Sequence, residues 1–189
     1  MKLYKPAINW GVKMGIANIL IFLIIYAIDP MFFGSTKGWI VSFAVTLLAV
    51  PIVFMILGAR DTKANFSPYK FGNAFNAAFI TAVVSAVIVF LFNIIFLTVI
   101  DPTWEQELYE EVARNTETLM EDMGTPQEAI DQTIEKMKED NANRTTGVLG
   151  AAKQTGIGLF WYAILALVIG AVQKSKKDEE IIEIEDLGN

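Results

Sequence analysis

Apolar residues fall in four long blocks rather than alternating with polar ones. The blocks run from Ala7 to Ile28, Ile40 to Leu57, Ala74 to Ile100 and Gly150 to Val172. A helix that crosses a bilayer needs roughly 20 predominantly apolar residues, so the pattern predicts four membrane-spanning helices. The second block is short unless Gly38 and Trp39 join it. The third would be ~40 Å long at 1.5 Å per residue, so it tilts or protrudes from the hydrocarbon. The first follows Lys2 and Lys5 and invites comparison with a cleaved signal peptide. Its apolar stretch is too long and no small-x-small site precedes Asp29, so a retained helix is expected.

Two of the blocks end in the same way. Ile28-Asp29-Pro30 closes the first and Ile100-Asp101-Pro102 closes the third. Proline cannot continue a helix and pushes the preceding residue out of the helical region, so each step is a stop at the membrane surface. After Asp29 only the short aromatic turn "MFFGSTKGW" follows. After Asp101 the chain enters its one sizeable polar segment. Asp101 can cap a new helix with Pro102 in its first position, or Thr103 can cap with Gln106 as capping-box partner. Asp101 and Pro102 are therefore hinge candidates.

Within 103–147, Trp104, Leu108, Val112, Leu119 and Met123 fall near one helical face. Gly124 stops that helix, and Thr125-Pro126-Gln127-Glu128 reads as a capped start of another. Ile130, Ile134 and Met137 make the second stripe. The prediction is a helical hairpin whose stripes pack on each other. It carries twelve acidic residues against four basic ones, a net −8. No EF-hand spacing is present, so no dedicated cation site is expected.

Composition sharpens this picture. The 189 residues are 53% hydrophobic and 19% charged, with net charge −6 and neither Cys nor His. Thiolate and imidazole chemistry and Cys/His metal sites are excluded, and the acidic balance argues against nucleic acid as a partner. The span flanks place Lys2, Lys5, Arg60, Lys63, Lys70, Lys174, Lys176 and Lys177 on one side. The positive-inside tendency makes that side cytoplasmic, with both termini inside and the hairpin outside. No Asp or Glu lies within a block, so no proton relay is legible. Lys13 is about 10 Å up the first helix from Pro6 and can snorkel to the interface.

Inside the spans the informative residues are small or polar. Gly11 and Gly15 form a GxxxG step with Asn18 near the same face. Ala74, Ala78, Ala82 and Ala86 form a small-xxx-small row in the third span, and Gly150, Gly158, Ala166 and Gly170 share a face of the fourth. Such residues let helices approach closely in lipid, so helix packing is their expected role. Asn18 and Asn93 are expected to find partners on other helices, because an amide in hydrocarbon needs one. Pro51 should kink the second span and free a carbonyl near Leu47. A faint echo between the spans, "ILGA" at 56–59 and "VIGA" at 168–171, has the look of a duplicated hairpin.

The stretches "NWGVKMGIANIL" and "KFGNAFNAAFITAVVSAVI", with an acidic insert before a Gly-rich last span, resemble the bacterial membrane family catalogued as domain of unknown function 4199. The resemblance covers nearly the whole chain. It implies a small four-span inner-membrane protein with no assigned activity, and it carries no catalytic residue over. The expected fold is all-α, an integral membrane four-helix bundle with an extracytoplasmic helical hairpin. Residues 1–100 hold three spans, 101–147 the hairpin, 148–173 the fourth span and 174–189 a charged cytoplasmic tail. The leading functional expectation is a non-enzymatic accessory or assembly factor, without cofactor. Its partners are the lipid bilayer and a second copy or another membrane protein, met through the hairpin or the packing faces. The alternative is a subunit of a small oligomeric transporter or channel, with Asn18, Ser85, Asn93 and Pro51 near its pathway.

Overall fold

The computed structural model describes residues 2–145 and 147–174. Beyond position 174 the charged tail, with Lys176 and Lys177, lies outside the described residues. All regular structure among the described residues is helical. Four helices are long and apolar enough to cross a membrane, and the protein is a multi-pass membrane protein built as an all-α bundle.

The first, α1, runs Lys5–Ile28. The second, α2, spans Thr36–Lys63 and the third, α3, Phe71–Ile100. Two shorter helices follow, α4 at Trp104–Asp122 and α5 at Gln127–Ala142, and α6 closes the chain at Gly147–Gln173. Asp29 and Asp101 end α1 and α3 with non-helical backbones, as their prolines require. The large apolar side chains of the spans stay exposed in stripes, for example Ile16, Leu20, Ile24 and Ile28 on α1 and Val87, Leu91, Ile95 and Val99 on α3. Exposure of such continuous apolar rows suits lipid contact and no aqueous surface.

Helix α1 packs on α2 and α3, and α6 packs on α3 and α2, so the four spans form a ring with α2 and α3 also touching across it. The tightest packing lies toward the end that carries the N-terminus. Ala7 and Met14 of α1, Met55 and Ala59 of α2, Ala77, Ala78 and Ala82 of α3, and Ala166 and Ile169 of α6 make its buried core. Thr81 is the meeting point. Its hydroxyl lies 3.1 Å from the Ala7 carbonyl and 3.0 Å from the Ala77 carbonyl. A Cβ on Gly11 would sit 2.6 Å from the Thr81 carbonyl oxygen, and one on Gly58 would collide with the Thr81 hydroxyl. Three helix backbones therefore converge where two glycines remove the side chains that would hold them apart.

Helix α2 is not uniform. Residues Phe43–Ala49 form a π-type segment just before Pro51. Pro51 has no N–H for the carbonyl four residues back, Leu47, and a widened turn gives its ring room. The freed Leu47 carbonyl accepts a hydrogen bond from Nε1 of Trp161 on α6, 3.3 Å away. The proline thus creates an acceptor that a neighbouring span uses.

The polar segment departs from expectation in three places. The α4 and α5 stripes do not simply pack on each other. Trp104 lies edge-on to Phe22, Tyr26, Phe33 and Phe96 and donates from Nε1 to the Pro30 carbonyl at 2.9 Å, so the start of α4 is seated on the bundle. Leu119 and Met123, at the far end, remain exposed, while Ile130 of α5 is buried. Thr125 does not cap α5: Pro126 occupies that position and no side chain bonds the first amides. Nor does Thr103 cap α4. Its hydroxyl is drawn 3.1 Å from Asp101 Oδ1 and 2.9 Å from Glu107 Oε1. The Gly124 stop is present in full. Gly124 adopts φ 72°, its N–H donates to the Glu121 carbonyl, and the Thr125 N–H donates to the Met120 carbonyl, the paired bonds of a Schellman end.

Candidate functional site

Away from the Thr81 junction the spans part. Toward the end that carries α4, residues 36–42 of α2 pack mainly on the turn before them, and α6 leaves Gly156 and Gly158 with nothing within 4 Å of an added Cβ. The space between is a cavity of about 650 Å³, a size typical of small-molecule sites at ~300–1,000 Å³. Its walls are apolar: Ile19 and Phe22 of α1, Leu47 of α2, Val89, Phe92, Phe96 and Leu97 of α3. Its floor and sides carry Asn18, Ser42, Thr46, Ser85, Asn93, Gln154 and Thr155. Trp104, Leu108, Tyr109 and Val112 of α4 form the roof.

Three polar atoms in this lining are buried and make no hydrogen bond among the described residues: Asn18 Oδ1, Ser42 Oγ and Tyr109 Oη. Leaving a buried polar atom unpaired costs on the order of 1–3 kcal/mol, so native proteins rarely tolerate several together. Burial also holds the Tyr109 phenol above its ordinary pKa, with the negative charge of Asp140 adding to it, so the hydroxyl stays protonated. The formal charges in the lining are Arg144 and Glu105, which pair at 3.0 Å. They cancel each other and tie the start of α4 to the chain just before α6.

The candidates read from sequence divide between packing and cavity. Gly11 meets Thr81 and Val84, and Gly15 meets Ile88, so both lie against α3. Ala74, Ala78 and Ala82 are fully buried, and Gly170 lies against the backbone of Phe75. Ala86 and Gly158 line the cavity instead, and nothing lies within 4 Å of a Cβ built on Gly158. Asn18 and Asn93, expected to reach partners on other helices, both face the cavity. Pro51 acts through Leu47, whose side chain lines the cavity too. Ser42, Thr46, Thr155 and Tyr109 went unnoticed in the sequence.

Asp101 sits at the rim. Its Oδ1 accepts from the amides of Thr103 at 3.2 Å and Trp104 at 3.0 Å, which caps α4, and its Oδ2 accepts from the Tyr26 hydroxyl at 2.7 Å. Pro102 lies ahead of the helix rather than in its first turn. The Tyr26 bond is the main cause that holds the Asp101 carboxyl below its ordinary pKa, helped by Thr103 and Trp104 and opposed by partial burial. A depressed carboxylate pKa stabilises the folded form above the ordinary value and loses that effect as pH falls through the lower, folded value. Seating of α4 should therefore survive mild acid and loosen only below the usual carboxylate range. Tyr26→Phe removes the main cause, so the loosening should begin at higher pH. Protease sensitivity of the α4–α5 segment, followed from pH 7 downward, measures both.

The family profile described as "Protein of unknown function (DUF4199)" matches residues 9–175. The chain belongs to this family. The match takes in all four spans and the α4–α5 segment. No curated protein and no solved structure gives a significant match.

Proposed function

We propose that this member of the family is a non-enzymatic membrane protein that holds one small amphipathic molecule between its splayed spans, beneath the roof of α4. The observation that carries the reading is an apolar-walled cavity of about 650 Å³ whose lining also places Asn18, Thr46, Ser85, Asn93, Gln154 and Thr155 together. The packed core around Thr81 lies at the inner end of the cavity, which suits a binding site better than a route through a single chain. The lysines and arginines at the N-terminus and between α2 and α3 support a cytoplasmic placement of that end, with α4 and α5 on the opposite side.

Two readouts test this. Protein released from lipid nanodiscs in native mass spectrometry should retain one small amphiphile per chain, and proteoliposomes should show no solute flux. Bare protein, or flux through the reconstituted chain, would overturn the reading; flux would favour the oligomeric transporter instead. Orientation is read separately in the Cys-free chain. In intact cells an impermeant maleimide should label Gln127→Cys and spare Asn65→Cys. The reverse pattern would invert the bundle.

A further inference from the structure

At the end that carries the N-terminus, away from the cavity, the first turns of α1 and the last turn of α2 border a groove of about 340 Å³. Lys2, Lys5, Asn9, Trp10 and Lys13 line one side and Asp61 the other. Lys5, Asn9 and Lys13 follow at four-residue intervals, so they rise along one face of α1 over about 12 Å. Three lysines against one aspartate give the groove a formal charge of +2.

The one carboxylate is already engaged. Asp61 Oδ2 accepts from Trp10 Nε1 at 2.7 Å. The Trp10 ring also lies edge-on to Phe54 of α2, and Lys13 Nζ stands 4.0 Å from its centroid. The indole is thus held between two helices, and it keeps the Lys13 ammonium beside the groove. All three lysines are exposed, and among the described residues none of them is in an ion pair. Ammonium groups gathered without a counter-charge attract an anion, and a phosphate offers several oxygens to meet more than one of them.

The surface beside the groove shows what brings the phosphate. Val12, Ile16, Leu20 and Ile24 continue the face of Lys5 and Asn9 along α1, and all four are exposed. The groove is therefore the polar head of an apolar lane that runs along the span. A soluble phosphate ester uses the lysines and leaves the lane empty. A phospholipid uses both. A choline or ethanolamine headgroup adds a cation that the lysines repel, so a lipid with net negative charge fits best.

We infer that this groove binds the phosphate of an anionic phospholipid, of the phosphatidylglycerol type. Lys2, Lys5 and Lys13 surround the headgroup, and an acyl chain lies along Val12, Ile16 and Leu20.

The full chain is placed in phosphatidylcholine nanodiscs doped with phosphatidylglycerol, or in undoped nanodiscs with glycerol 3-phosphate in the buffer. Adducts are then counted by native mass spectrometry. The chain should retain phosphatidylglycerol in preference to phosphatidylcholine and should retain no glycerol 3-phosphate. Lys5→Gln with Lys13→Gln should lower phosphatidylglycerol retention by about tenfold, as the loss of two lysines facing an anionic surface predicts. Lys37→Gln with Lys153→Gln removes two lysines toward the α4 end and should change nothing, and neither should Gly158→Phe, which fills the cavity. Asp61→Asn keeps an acceptor for Trp10 and removes the opposing charge, so retention should rise. Glycerol 3-phosphate retained as well as phosphatidylglycerol would overturn the lipid source. Equal losses from the two lysine pairs, or a loss in Gly158→Phe, would overturn the site. Should the Lys5 and Lys13 variant fail to fold, Lys2→Gln, ahead of α1, makes the same comparison, and unchanged retention there would overturn the inference.

Discussion

Gly11→Val is expected to drive α1 and α3 apart and to cost the bundle about 3 kcal/mol, the upper end of ordinary overpacking penalties. The expectation rests on what the new side chain meets. A Cβ at position 11 would lie 2.6 Å from the Thr81 carbonyl and 2.7 Å from Val84 Cβ. The first of these is backbone and cannot rotate aside. Moving α3 away would also stretch the Thr81 hydroxyl bond to Ala7, and Gly58 of α2 abuts that same hydroxyl. Three helices thus resist one methyl group. Gly156→Val is the matched control on α6, where nothing lies within 4 Å of the added Cβ. It should melt in detergent at or above the wild-type temperature, while Gly11→Val melts well below it. Equal melting of the two variants would show that the GxxxG step does not hold the bundle.

The contrast between positions 11 and 158 explains what the sequence could and could not convey. Span number, span ends and the α4 stop follow from local chemistry: blocks of apolar residues, Asp-Pro steps, and Gly124. The freed Leu47 carbonyl follows just as directly from Pro51. Whether a small residue touches a neighbour is a different matter, because it depends on how far two helices diverge. Gly11 and Gly158 look alike in sequence, yet one lies against a backbone and the other faces open space. Ala82 and Ala86 sit one turn apart in one row, and only the first is fully buried. The π-type segment at Phe96–Ile100 has no simple composition signal, unlike the one at Phe43–Ala49 that precedes Pro51. The seating of α4 was hidden for a related reason: a Trp104 stripe fits a hairpin partner and a bundle mouth equally well.

Filling the cavity should separate binding from folding. Gly158→Phe places an aromatic ring where nothing lies within 4 Å of the Cβ, beside Tyr162 and Gln154 in the lining. Its position on α6 faces space rather than a packed helix, so no overpacking penalty is expected, and melting should be unchanged or higher. Amphiphile retention should fall by at least about tenfold, since the ring occupies volume that the ligand needs. A fall in stability comparable to Gly11→Val would mean that α6 packs closely at this height and that the space is not there.

The spans are packed at one end and parted at the other, and thiol accessibility in the Cys-free chain tests this division most directly. Asn93→Cys lies in the cavity lining and Ala78→Cys in the packed core, both on α3. In folded protein a small thiol reagent should modify position 93 readily and position 78 only after denaturation, and Gly158→Phe should slow the reaction at 93. Equal protection of both positions in the folded chain would contradict it.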